Sequence, residues 1–235
     1  MTAPRTHRSI GLAGAAALAG LLASMGGLAC DRRPESNGGP RIQALPDERP
    51  PYPPVTDLPA SAAAEETRAE HFVVVEGDEV LRLGRRGIPN TTDVSLDELL
   101  RAFWRLRGDP LGGRGAASPS AAPLVIAGKP VPASRVFDVV TALWQHGARL
   151  AVTGGLPGAP RQQPVRLVGE KAGAVRPAGA AVIELGPRGL VLTLPGAEPR
   201  SFESCGPAPD TGCLTVALDV AAKAGAREVR LRRVR

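Results

Sequence analysis

Three cysteines are the residues of this chain best equipped for chemistry, and their positions divide them into one alone and one pair. Cys30 closes the run Gly27-Leu28-Ala29-Cys30 at the end of an uncharged stretch that begins at Ile10 and follows Arg5 and Arg8. A positive start, an apolar run and small residues before a cut make up the layout of an export signal, so residues 1–29 are expected to be a signal peptide. The stretch has about the ~20 residues needed to cross a bilayer. A retained anchoring helix therefore stays open, although its glycines would make a weak one. Export places Cys205 and Cys213 in an oxidising compartment, where they are expected to pair. Closing the loop from Cys205 to Cys213 is worth about 2–3 kcal/mol by chain entropy. Their spacing is not CxxC and no histidine stands near them, which argues against redox chemistry or zinc.

The remaining chemistry-bearing residues read as structure. His71 opens an apolar run and His146 ends a helical one, where an imidazole complements the helix C-terminal dipole. Neither belongs to a recognisable Ser/His/Asp or Cys/His set. Asp97 and Glu98 sit where a helix begins, Gly112-Gly113-Arg114-Gly115 lacks the Lys-Ser/Thr of a phosphate loop, and Gly154-Gly155 reads as a turn. A non-catalytic protein without metal or cofactor is the expectation. The formal charge of +6 and the isoelectric point near 10.0 raise nucleic acid as a partner. An exported chain with only 3% aromatic residues for base stacking argues against it. Anionic lipid headgroups or cell-wall polymer suit the charge better.

The elements that must position these residues follow a long approach. From Asp31 to about Glu70 proline recurs, centred on Pro50-Pro51-Tyr52-Pro53-Pro54. Proline removes backbone donors and favours extended polyproline geometry, so residues 30–70 read as a tether without a packed core. The tyrosine among the prolines is either a docking motif or part of a spacer. Folding is expected to begin at His71, with strands over His71–Gly77 and Glu79–Gly84 joined at Gly77-Asp78. Ser95-Leu96-Asp97-Glu98 forms a capping box, with Val94 and Leu99 as a hydrophobic staple. The stripe Leu96, Leu99, Leu100, Phe103 and Leu106 then marks a helix. Pro123–Ala127 reads as a buried central strand. A second helix starts near Pro132, presents Val136, Val140, Leu143 and Trp144, and stops at Gly147. Arg149–Thr153 closes the unit. The order predicts an α+β two-layer sandwich, β-β-α-β-α-β, with both helices on one face.

Two resemblances arise from these pieces. Gly27-Leu28-Ala29-Cys30 resembles the lipobox of bacterial lipoproteins, although the position three before the cysteine is Gly27 where Leu is usual. That resemblance implies diacylglyceryl attachment to the Cys30 sulfur, acylation of the new amino terminus, and a protein held to the membrane by several acyl chains. Residues 71 to about 154 resemble the periplasmic domain of the ExbD/TolR family of biopolymer-transport proteins. The likeness is carried by Ser95-Leu-Asp-Glu98-Leu99, Leu124-Val-Ile-Ala127, Val131-Pro132-Ala-Ser-Arg-Val136-Phe-Asp-Val-Val140 and Gly147-Ala-Arg-Leu-Ala-Val-Thr153. It implies a domain that dimerises and works beside ExbB- or TolQ-like membrane proteins. The family's membrane aspartate has no counterpart, since Ile10–Ala29 holds no acidic residue and Asp31 lies beyond it. The acidic residue expected after the central strand is replaced by Gly128.

Residues 159–235 read as a degenerate second copy. Ala181–Leu185 and Gly189–Leu194 form a hairpin around Gly186-Pro187-Arg188-Gly189. His146-Gly147-Ala148-Arg149 aligns with Ala224-Gly225-Ala226-Arg227, so the last helix and strand match the second helix and fourth strand. Pro195–Gly212, stapled by the disulfide, stands in for the missing first helix and central strand. The final segment is expected to be an edge strand, with Val229 and Leu231 inward. Arg230 and Arg232 face outward to block unwanted pairing or to bind a wall polymer or protein. The chain thus divides into signal (1–29), lipidated Cys30 and tether (30–70), ExbD/TolR-like domain (71–158) and second copy (159–235). The expected role is a lipid-anchored, periplasm-facing interaction module of a Tol/Ton-like transport or motility complex. The alternatives are a tethered peptidoglycan binder and a single-span ExbD-like transporter subunit.

Overall fold

A run such as His71-Phe-Val-Val-Val75 carries apolar side chains on both faces, so it is stable only where both faces are covered. The computed structural model describes residues 52–53, 57–76, 80–108, 122–154, 160–170 and 179–234. Cys30, the apolar run before it, the Gly77-Asp78 turn and Gly112–Gly115 lie outside the described residues. His71–Val75 (β1), Leu81–Arg85 (β2) and Thr92–Val94 (β3) form an antiparallel meander. Leu96–Leu106 (α1) leads to Leu124–Ala127 (β4), and Ala133–Ala142 (α2) crosses to Arg149–Val152 (β5). Arg161–Gln162 (β6) ends the first sheet, whose order is β3-β2-β1-β4-β5-β6. β1, β4 and β5 run parallel at its centre.

The second sheet contains Arg166–Gly169 (β7), Ala181–Gly186 (β8), Gly189–Thr193 (β9), Arg200–Ser201 (β10) and Glu228–Arg233 (β11). Its order is β10-β9-β8-β11-β7, and Thr211–Lys223 (α3) precedes β11. β11 is therefore an interior strand, parallel to both β7 and β8, and not the edge strand expected from its arginines. Alternation of Val229 and Leu231 with Arg230 and Arg232 reports one buried face; it says nothing about whether a strand has one neighbour or two. The direction of every pairing from β10 to β7 repeats that from β3 to β5. α3 and β11 thus occupy the places of α1 and β4, not those of α2 and β5 as the glycine alignment suggested. The fifth place, held by β5 in one sheet, is taken in the other by β7 from earlier in the chain.

The architecture is mixed α+β, with two sheets and three α-helices among the described residues. One continuous core joins the inward faces of both sheets to all three helices. α2 lies between the sheets, packing on β4 and also on β7 and β11. Val136, Phe137, Val139 and Val140 are all buried, the pattern of a helix covered on more than one side. The approach to β7 is close enough to need glycine. A Cβ on Gly169 would lie 2.4 Å from the Thr141 Cα. α2 ends at Ala142 with Leu143 as its C-cap, short of the stop expected at Gly147, and Gly147, at φ +64, turns the chain only after a further non-helical turn. Residues 155–159, where the two halves were expected to part, lie outside the described residues, and β6 beyond them still pairs with β5.

Ser95 stands at the N-cap of α1 in extended conformation, but its side chain makes no capping hydrogen bond. The Glu98 amide donates instead to the Ser95 carbonyl at 3.2 Å, so the expected capping box is not formed. Val94 and Leu99 are both buried in the core, as a staple requires.

The outward face of the first sheet is covered as well, and by the end of the expected tether. Tyr52, Leu58 and Ala69 form a separate cluster with Phe72, Val74, Leu124, Ile126 and Ala151. Folded structure thus reaches N-terminal to His71. Few apolar residues mark this strap because the sheet supplies most of the cluster, while small residues from Pro59 to Ala64 let its backbone lie close.

Candidate functional site

The expected site residues fall in separate places. Cys30 lies outside the described residues. Cys205, at the end of a 3-10 turn over Glu203–Cys205, is bridged to Cys213 in the first turn of α3, with Cα atoms 5.9 Å apart. Asp210 caps α3 by accepting from the Cys213 amide at 2.8 Å. An acid just before a helical run is a readable N-cap signal. The loop so closed grips the approach to α2. The Ala133 amide donates to the Pro209 carbonyl at 2.9 Å, and the Thr211 amide and hydroxyl donate to the Val131 carbonyl at 2.8 and 2.7 Å.

Arg230 and Arg232 project from the outer face of the second sheet into ion pairs. Arg230 lies 3.9 Å from Glu170 and 3.7 Å from Glu228, and Arg232 lies 3.6 Å from Glu184. Their charge is largely balanced by these neighbours; the Arg232–Glu184 pair is solvent-exposed and of a kind that contributes only about 0–1 kcal/mol, whereas the Glu170 side chain opposite Arg230 is buried.

The two histidines converge on one ring. His71 meets Phe103 edge-on at 5.6 Å and His146 meets it at 4.9 Å, each only 7% exposed. Burial holds the His71 imidazole below its ordinary range; Glu70 opposes that shift, while Arg85 and Arg107 add to it. Trp104 Nε1 donates to His146 Nε2 at 2.8 Å, and Arg107 lies 3.3 Å from His146 Nδ1. These contacts hold the His146 imidazole between Trp104, Phe103 and Arg107. Arg166 completes the corner by donating to the His146 carbonyl at 2.8 Å.

A cleft of about 1120 Å³ lies between α2, the loop Pro207–Asp210 and the ends of β8 and β11. β8 and β11 both present their C-terminal ends there, where open sheets with parallel strands commonly receive ligands. Arg233 spans the cleft, donating to Asp138 Oδ2 at 2.9 Å and to the Ser134 carbonyl at 2.8 Å. Burial pushes the Asp138 carboxyl above its usual range, opposed by Arg233 and Arg135. Prolines 130, 132, 187, 207 and 209 supply rigid apolar walls. No lining residue among those described is a histidine or cysteine. The arrangement offers apolar contact and hydrogen bonding, which suits binding. Nothing in the spacing of the sequence brings Asp138 to Arg233.

A second polar cluster holds the strap. Ser61 Oγ donates to Asp219 Oδ1 at 2.6 Å, and Gln163 Nε2 donates to both Asp219 Oδ1 and Ser61 Oγ at 2.9 Å. Gln163 is fully buried. Arg149, desolvated so that its charged form is disfavoured, donates to the Gln163 and Pro164 carbonyls at 3.2 and 2.5 Å. These groups fasten segments together and leave no nucleophile beside a free base.

Among the described residues no group of three or more His, Cys, Asp or Glu side chains could hold a metal ion, and no helix is long and apolar enough to cross a membrane. Comparison with protein-family models, with curated proteins and with solved structures finds no match for this chain.

Proposed function

We propose that the chain is an exported, lipid-anchored interaction module, tethered through Cys30 and carrying an ExbD/TolR-like body. It serves as an accessory to an envelope transport or motility complex. The observation that carries this reading is the placement of the segments behind the resemblance. Ser95–Leu99 spans the start of α1, Leu124–Ala127 is β4, Val136–Val140 lies in α2, and Gly147 turns the chain into β5. The parallel order of β1, β4 and β5, with α1 and α2 packed together in one core, supports this reading. The second sheet, which repeats this order of strand directions, is the degenerate copy.

The surface for a partner is the cleft at α2 and not a strand edge. β3 and β10 are short, β6 is paired with the strap through Glu65, and β7 is bridged to Ala148. Short or covered edges make poor templates for an added strand. The cleft combines open apolar walls with a charged pair that a partner can engage.

The test is expression of the full chain in a bacterial host with radiolabelled palmitate, followed by mild solubilisation and affinity capture. Label incorporated at Cys30, together with co-purification of an ExbB- or TolQ-like protein, is the expected result. Absence of label that a Cys30→Ser control also lacks, or a retained Met1 by mass spectrometry, would end the lipoprotein reading. Sedimentation with purified peptidoglycan that is lost on replacing Arg230 and Arg232 by Ala would favour the wall-binding alternative.

A further inference from the structure

A surface helix turns polar and charged residues to water, and α1 does so: its exposed positions are Asp97, Glu98, Arg101 and Arg105. α3 does not. Its two exposed positions are Val216 and Lys223, and Val216, at 53%, is the most exposed large apolar side chain among the described residues. Gly212, Cys213 and Val220 are half-buried on the same side, while Leu214, Ala217, Leu218 and Ala221 fill the core on the other. Gly212, Val216, Val220 and Lys223 follow at intervals of four, four and three, so they form one stripe along the helix. The stripe is firmly set. The disulfide to Cys205 borders it on one side, and on the other is exposed Ala62, whose amide donates to Asp219 Oδ2 at 3.3 Å.

The charges around the stripe make it complementary to itself. Toward the N-terminus, a Cβ on Gly212 would meet the Lys129 Cγ at 3.0 Å, so that exposed lysine lies beside Gly212, and Asp210 caps the helix. Toward the C-terminus come Asp219 and then Lys223. At ~1.5 Å of rise per residue, Gly212 and Asp219 lie about 6 and 4–5 Å from Val216 on opposite sides, and Asp210 and Lys223 about 9 and 10 Å. Outward from Val216 the order is therefore plus then minus in one direction, and minus then plus in the other. Turning a second α3 about a two-fold axis through Val216 sets Lys129 against Asp219 and Asp210 against Lys223. It also opposes the two helix dipoles and places Val220 over Gly212.

We infer that α3 is the contact surface of a homodimer, packed antiparallel on a second copy of itself about Val216. The two stripes cover each other's apolar residues, and the four charged groups meet only opposite charges. One helix and its borders make an interface at the small end of specific contacts, so the dimer is reversible. The disulfide contributes by fixing the first turn of α3, beside which Lys129 and Asp210 must stand. The inference rests neither on the lipid anchor nor on the cleft at α2, which lies on other elements.

Sedimentation equilibrium of the full chain in density-matched detergent tests it, with a reversible monomer–dimer equilibrium as the expected result. Val216→Asp sets two like charges on the axis and should weaken the dimer at least ~100-fold. Because Val216 faces water in the monomer, amide exchange at Val125 and Ile126 should not change in this variant. Val216→Lys should dissociate the dimer to the same degree. An equimolar mixture of the two variants should dimerise again, since opposite charges then meet across the axis. Lys223→Glu, which would face Asp210 of the second copy, should weaken the dimer about ten-fold. A chain that stays monomeric up to roughly 1 mM, a dimer that Val216→Asp leaves intact, or variants that fail to associate on mixing would overturn the proposal.

Discussion

His71 illustrates how a buried side chain ties stability to pH. Its imidazole is desolvated against Phe103, with Arg85 and Arg107 nearby, so the folded protein resists the proton more than the unfolded chain does. The folded value lies below the ordinary 6.5, and the unfolded state therefore binds more protons in the interval between them. Stability should be complete above 6.5 and fall as pH drops through that value toward the folded one. Urea midpoints at pH 7.5, 6.5 and 5.5 should show this slope, and His71→Gln should flatten it even if the variant is less stable throughout. An unchanged slope in the variant would show that another group controls it. Asp138 acts in the opposite sense at lower pH, because its folded carboxyl takes a proton more readily than the unfolded one. At this scale the sequence identified the residues but not their company. His146 is held by Trp104, 42 positions away along the chain.

Among the elements, α2 shows the greatest difference between pattern and place. Val136, Val140 and Leu143 announce one apolar stripe, but Phe137 and Val139 are buried too because a second sheet lies on the other side. The contact is backbone to backbone at Gly169, where a Cβ would come within 2.4 Å of Thr141 Cα and 2.7 Å of its amide. Neither atom belongs to a side chain that could swing away. Gly169→Ala should destabilise the protein by about 2 kcal/mol or more, as overpacking does where the backbone must shift, read from chemical denaturation. A change under about 0.5 kcal/mol would mean that helix and strand separate more easily than close packing implies. The hairpin of β8 and β9 and the helix α1 were legible because turn residues and a 3.6-residue stripe are local signals. The capping box failed at Ser95 because a backbone carbonyl took the amide that its side chain was expected to receive.

For the whole molecule, the decisive feature is that the two halves share one core while the strap has its own. The disulfide reinforces that union. Its loop is bonded to Lys129, Val131 and Ala133 at the entry to α2, so it joins the second half to the first. Replacing Cys205 and Cys213 by Ser should cost about 2–3 kcal/mol of stability. It should also raise hydrogen exchange at the Thr211 and Ala133 amides well before the first sheet is affected. If exchange there stays at the level of the bridged protein, the loop is held by its hydrogen bonds alone. The pairing of Cys205 with Cys213 matches the expectation drawn from the export reading; the cleft their loop helps to wall was not legible. By itself the sequence determined the strongly patterned pieces, among them β1, β2, β4, β5, β8, β9, β11 and the three helices, and which thiols join; the short strands β3, β6, β7 and β10 carry too few residues to show a pattern. Only the tertiary structure decided the neighbours: β11 inside its sheet, α2 between two sheets, Tyr52 and the strap over β1, β4 and β5. Periodicity records that a face is buried, because apolar side chains avoid water whatever covers them, but the identity of the cover depends on contacts between residues far apart along the chain.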